Sequence, residues 1–240
     1  MKVIKAESYQ ELSDKAAEIV LQTVKSNPKA VLGLATGSTP IGLYKNMIKD
    51  HKKNGTSYKQ VHTFNLDEYV GLGPDHPQSY AYFMREHLFD HIDIPAEQTF
   101  IPDGKAEDLE KECKEYEEKI KQYGGIDLLV LGIGPNGHIG FNEPGTPFTS
   151  RTHVVELTEE TRKANSRFFD SIDEVPSQAI SMGIGTIMES KKIILLIAGN
   201  KAEAYQRLMD EEPNENMPAT VLKNHPDVTV IVDREKNETA

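Results

Sequence analysis

The chain has 240 residues, 38% of them hydrophobic and 27% charged, which is enough apolar side chain for one sizeable core and argues against disorder. Its 27 lysines and arginines against 38 acids give a net charge of −11, which excludes the basic face a nucleic-acid binder needs. A few local cations can still hold a small anion against that background. The single cysteine, Cys113, leaves no internal disulfide and sits in a charged, helix-like run, as an ordinary thiol in a reducing compartment would. Residues 1–5 (MKVIK) hold no apolar leader region, and no apolar run is long enough to span a bilayer. A cytoplasmic protein with neither membrane nor nucleic-acid partner is expected.

In chain order, Ser8-x-x-Glu11 is a capping box that opens a helix running to about Ser26. Residues 30–35 (AVLGLA) read as a strand and 42–53 as a helix. Residues 61–66 (VHTFNL) read as a strand, then 79–91 and 106–123 as helices. Residues 126–133 (IDLLVLGI) form the next strand, followed by a helix over 162–171, a strand over 192–198 (KIILLIA), a helix over 201–210 and a strand over 227–232 (DVTVIV). Several strands are nearly continuous Val, Ile and Leu, as expected where both faces of a sheet are covered. The alternation predicts an α/β fold, a parallel sheet flanked by helices with right-handed crossovers. No repeat, low-complexity tract or flexible linker divides the chain, so residues 1–240 are expected to form a single domain. Ligands of such a sheet bind beyond the carboxyl ends of its strands, and every motif below follows directly on such an end.

The loop Thr36-Gly37-Ser38-Thr39-Pro40 joins the 30–35 strand to the next helix. Gly37 permits a tight turn, Ser38 and Thr39 offer hydroxyls, and the helix start offers unpaired N–H groups, together an anion pocket suited to phosphate. The Gly-Lys-Ser/Thr ending of a Walker loop is absent. After the 61–66 strand come two adjacent acids, Asp67 and Glu68, which in extended chain point to opposite faces and so make no close dyad. One of them, shielded from water at a strand end, suits abstraction of a carbon-bound proton, with its pKa raised by burial. The run from Gly132 to Gly145 (GIGPNGHIGFNEPG) has dinucleotide-like glycine spacing but opens no helix. It reads instead as a tight catalytic turn, in which His138 exchanges protons near neutral pH and Glu143 orients it or takes part itself. His138 and Glu143 offer at most two metal ligands, so no metal is expected.

Three of these motifs, ATGSTP, FNLDEYVGL and GIGPNGHIGFNEPG, together strongly resemble the glucosamine-6-phosphate deaminase (isomerase) family. The likeness continues through residues 76–80 (HPQSY), 164–169 (ANSRFF) and 199–202 (GNKA). It implies a modified Rossmann-like sheet and a hydrolytic, cofactor-free conversion of glucosamine 6-phosphate to fructose 6-phosphate and ammonia, as in N-acetylglucosamine utilisation. It implies that Thr36, Gly37, Ser38 and Thr39, with Arg167 and Lys201, hold the phosphate, that Asp67 removes the C2 proton, and that His138 with Glu143 opens the sugar ring. Two departures stand out. Asn136 occupies a position where many members carry Asp, and it is kept here as a site residue that hydrogen-bonds but is no carboxylate. His153 and Val155 stand where members activated by N-acetylglucosamine 6-phosphate carry cations, and the chain stops soon after Val232. A non-allosteric monomer or low-order oligomer is therefore expected. The segment from about 149 to 187 carries few strand signals and is expected to form a lid that places Arg167 over the phosphate. The rivals are a 6-phosphogluconolactonase-like hydrolase, whose family pattern is Asp-Glu-Arg where this chain has Asp67-Glu68-Tyr69, and a non-catalytic sugar-phosphate sensor, which would need a DNA-binding helix-turn-helix.

Overall fold

A computed structural model describes residues 1–238; the last two positions of the expected 1–240 domain lie outside the described residues. The strands are β1 (Lys2–Ala6), β2 (Val31–Leu34), β3 (His62–Asn65), β4 (Asp67–Tyr69), β5 (Thr99–Phe100), β6 (Leu128–Gly132), β7 (His153–Glu156), β8 (Gln178–Ser181), β9 (Ile193–Ile197) and β10 (Val228–Asp233). The helices are α1 (Tyr9–Ser26), α2 (Ile41–Asn54), α3 (Tyr80–His87), α4 (Leu109–Gln122), α5 (Glu159–Asn165), α6 (Ile184–Met188), α7 (Ala202–Asp210) and the short α8 (Arg234–Asn237). Ser8 caps α1 by accepting from Glu11 N at 3.1 Å, as the capping box predicts, while the Glu11 carboxylate reaches back to Glu7 N.

Seven strands pair in the order β1-β10-β9-β6-β2-β3-β5, every pairing parallel. Side chains alternate between two cores. Leu129, Leu131, Ile193, Leu195 and Ile197 pack with α4, α6 and α7; Leu128, Val130, Ile194 and Leu196 pack with α1, α2 and α3. Both faces are therefore apolar, which is why β6 and β9 read as unbroken Leu and Ile runs. From β2 the chain winds one way, through β3 to β5; from β6 it winds the other, through β9 to β10. The reversal between β2 and β6 opens a crevice beyond their carboxyl ends.

Two features depart from the expectations. Lys2–Ala6 is an edge strand against β10, and its short alternation with lysines hid it in the sequence. The second departure bears on the site. The strand expected over 61–66 ends at Asn65, and Asp67–Tyr69 belongs to a separate antiparallel sheet of order β4-β8-β7. Two of its strands come from the 149–187 segment in which few strand signals were read. Ala179, Ile180 and Ser181 of β8 are completely buried, so this part of the segment is packed into the protein interior. The helix expected over 162–171 is also shorter: α5 ends at Asn165, and one 3-10 turn, Ser166–Phe168, follows. Among the described residues no helix is long and apolar enough to cross a membrane.

Candidate active site

Four loops at the carboxyl ends of β2, β3, β6 and β9 surround one cleft of about 820 Å³. The structure brings Thr36, Gly37, Ser38, Thr39, Asp67, His138, Glu143, Arg167 and Lys201 to its wall. Asn136 is exposed and is not part of that wall.

At the β2 end, Gly37 adopts φ 96°, a turn that side-chain-bearing residues rarely make. The Tyr9 hydroxyl donates to the carbonyls of Ser38 and Thr39 and accepts from Gly42 N at 2.9 Å, fixing the loop to α1. The N–H groups of Gly37, Ser38 and Thr39 find no acceptor among the described residues and remain available to an anion. Pro40 stands at the cap of α2, one position before the predicted first turn. Two cations also line the cleft. Lys201, just before α7, is half-buried with no acidic partner among the described residues, and burial lowers its pKa. The Arg167 guanidinium, likewise without an acidic partner there, rests 4.6 Å from the centre of the Phe168 ring. Positive charge without a local acid is what an incoming phosphate would neutralise.

Along β4 the two acids part as their extended backbone requires. Glu68 points away from the cleft, is 3% exposed, and accepts from Tyr69 N, Tyr80 N and Ala81 N at 2.8, 2.9 and 3.0 Å. It thereby caps the start of α3, whose Ser79 also accepts from Tyr82 N. Burial raises the Glu68 carboxyl to about 7 against the pull of these donors. Asp67 faces the cleft and, among the described residues, finds no hydrogen-bond donor to stabilise its anion. Burial, and secondarily the charge of Glu68, raise it to about 8.

The glycine loop after β6 positions its histidine through backbone alone. His138 Nδ1 lies 2.9 Å from the Gly140 carbonyl, which can only accept, so Nδ1 carries the proton and Nε2 keeps a free lone pair. Gly134 sits beneath that ring: a Cβ there would lie 2.0 Å from Nε2. Glu143 makes no hydrogen bond to His138 among the described residues; Asn136 joins them. Its Nδ2 donates to Glu143 Oε2 at 2.7 Å, and its Oδ1 accepts from His138 N at 3.1 Å. Ser181 Oγ accepts from Phe141 N at 3.1 Å, and Ser181 is the register partner of Asp67. One residue of β8 thus fixes the glycine loop against the strand of the acid. No cluster of three or more His, Cys, Asp or Glu suited to a metal occurs among the described residues.

The sequence reading passed over Ser181, Tyr69, Tyr80 and Asn165. Tyr69 lies two residues from Asp67, and that i, i+2 spacing was the available signal for a shared face.

The family of glucosamine-6-phosphate isomerases and 6-phosphogluconolactonases matches the chain over residues 4–231. A glucosamine-6-phosphate deaminase of Geobacillus sp. (strain WCH70) is 58% identical over 236 residues, covering 98% of this chain and 94% of the relative. A solved structure described as a monomeric glucosamine-6-phosphate deaminase is 52% identical with a TM-score of 0.96, covering 98% of each chain. The 6-phosphogluconolactonase of Thermotoga maritima, 20% identical with a TM-score of 0.75 and covering 96% of this chain and 98% of that one, shares the fold alone.

Proposed function

The chain belongs to the glucosamine-6-phosphate isomerase/6-phosphogluconolactonase family, and on that footing we propose that it converts glucosamine 6-phosphate and water to fructose 6-phosphate and ammonia. The observation that carries this reading is the pairing of a phosphate-ready end of the cleft with an undonated carboxyl raised to about 8. The unpaired N–H groups of Gly37, Ser38 and Thr39, with the Thr36 side, Arg167 and Lys201, hold the phosphate. His138 Nε2 takes the proton of the C1 hydroxyl and returns it to the ring oxygen, opening the sugar to its aldehyde. Glu143, held by Asn136, assists from the same loop. Asp67 then removes the C2 proton, leaving an enolamine, and delivers it to C1. Water adds to the resulting C2 imine and ammonia leaves, giving the ketose. A base near pKa 8 matches a weak carbon acid far better than an ordinary carboxylate does.

The mobile part of the expected 149–187 lid narrows to residues 158–175, because the strands on either side belong to the β4-β8-β7 sheet. The protein acts in amino-sugar breakdown in the cytoplasm, as a monomer not activated by N-acetylglucosamine 6-phosphate. His153 and Val155, at positions where cations were expected, support this; a sigmoidal velocity curve made hyperbolic by that compound would contradict it. The assignment is tested by equimolar release of ammonia and fructose 6-phosphate from glucosamine 6-phosphate. Pure protein that releases neither would end it.

A further inference from the structure

Residues 158–169 carry Arg167, and beyond residues 158–175 they are held by the Phe169 ring, packed on Tyr69 and His76, and by a single hydrogen bond. Within the segment, Thr158 caps α5 by accepting from Thr161 N, and Arg162 donates to the carbonyls of Ile172 and Val175. The one hydrogen bond that leaves residues 158–175 from this stretch, among the described residues, runs from Asn165 Nδ2 to the Tyr69 hydroxyl at 2.9 Å. Tyr69 is itself firmly held. It is 4% exposed, in register with Ala179 of β8, and its ring packs on Tyr80, Phe141 and Phe169 at 4.8, 6.2 and 6.2 Å between centroids. Tyr69 lies two positions after Asp67 along β4, and Arg167 two positions after Asn165. The bond therefore links the strand that carries Asp67 to the segment that carries Arg167, both of which line the cleft.

From this geometry we infer that Tyr69 is a positioning residue, its hydroxyl latching Asn165 so that Arg167 is held at a fixed distance from Asp67. The inference rests on the phosphate-sugar reading of the cleft. Its physical content is a population argument. A segment held by one hydrogen bond and one ring contact samples unlatched states, in which Arg167 is displaced, and binding must gather it back. A neutral hydrogen bond shifts such an equilibrium about 3–10-fold. Ligand affinity carries that factor, whereas turnover at saturation, where the ligand itself has gathered the segment, does not.

The experiment compares wild-type protein with Tyr69→Phe, which keeps the ring, with Asn165→Ala, and with the double variant. Inorganic phosphate is titrated as the probe, and KM and kcat are measured with glucosamine 6-phosphate. Each single variant is expected to weaken phosphate binding and raise KM about 3–10-fold with kcat nearly unchanged. The double variant is expected to be no worse than either single one, because both remove the same bond. Faster backbone hydrogen exchange in residues 158–169 should accompany the loss. Unchanged phosphate affinity, tighter affinity (the bond holding the segment away), or losses that multiply in the double variant would each overturn the latch. The phosphate and exchange arms need no turnover, so they judge the latch even if wild-type protein releases no ammonia, a result that would fall on the function instead.

Discussion

Asp67→Asn separates what the carboxyl costs the fold from what it does for chemistry. Its pKa moves from 3.8 to about 8 in the folded protein, chiefly by burial. The folded pKa is raised, so the favourable contribution is complete below the unfolded value and is lost as pH rises through about 8. Some four pH units at about 1.4 kcal/mol each set a ceiling of about 6 kcal/mol, reached above pH 8. Asp67 borders an open cleft, and effective screening there brings the figure to about 2 kcal/mol. Asparagine has the same shape and no charge to desolvate. Asp67→Asn should therefore gain about 2 kcal/mol over wild type at pH 8.5, or about 4–8 °C in Tm for a chain of this size, and much less at pH 5. Denaturant midpoints of both proteins at the two pH values give the double difference, in which titrating groups not coupled to Asp67 cancel. Turnover should be abolished while inorganic phosphate still binds. A stability gain equal at both pH values, or none at pH 8.5, would show that the carboxyl is not desolvated as argued; near-wild-type turnover would remove it from catalysis.

Three other substitutions address the remaining chemistry. Gly134→Ala would place a methyl 2.0 Å from His138 Nε2; the ring swings aside, so kcat should fall about 100-fold or more while the denaturant midpoint moves little, and retained activity would show that the ring position is not used. Asn136→Asp would set two carboxylate oxygens where a 2.7 Å N–H···O bond now stands; they must share a proton, so the acid limb of the pH–rate profile should move upward by about one unit or more, and an unmoved profile would detach Glu143 from the mechanism. Arg167→Ala should weaken inorganic phosphate binding about 10–100-fold by titration calorimetry, the weight of a charge-assisted pair, and an unaltered affinity would leave Lys201 and the loop as the whole phosphate site.

How far the site could be read from the sequence depended on how far its parts are set by neighbours along the chain. The phosphate loop and the histidine turn are local objects: Gly37 and the N–H groups beside it, and His138 with Gly140 two residues on, complete their geometry within a few residues. The β6 and β9 runs were plain because both faces of a parallel strand are buried. What escaped were pairings between distant segments. Asp67–Tyr69 is three residues long, too short for any periodicity to declare a strand, and it exists because β8, more than a hundred residues later, supplies its partner. The strands β7 and β8 within residues 149–187 escaped for the same reason.

That non-local sheet also explains why two adjacent carboxylates end with different chemistry. Pairing with β8 holds the backbone of β4 extended, and extension sends Glu68 to the start of α3 and Asp67 to the cleft. Had the chain turned helical after Asn65, both acids would lie on neighbouring positions of one surface, solvated and unshifted. Glu68 receives three backbone donors; Asp67 receives none among the described residues and feels the charge of Glu68 behind it. The base is therefore made chiefly by burial, with the donors given to its neighbour withheld from it, a property of the β4-β8 pairing that the dipeptide alone does not contain.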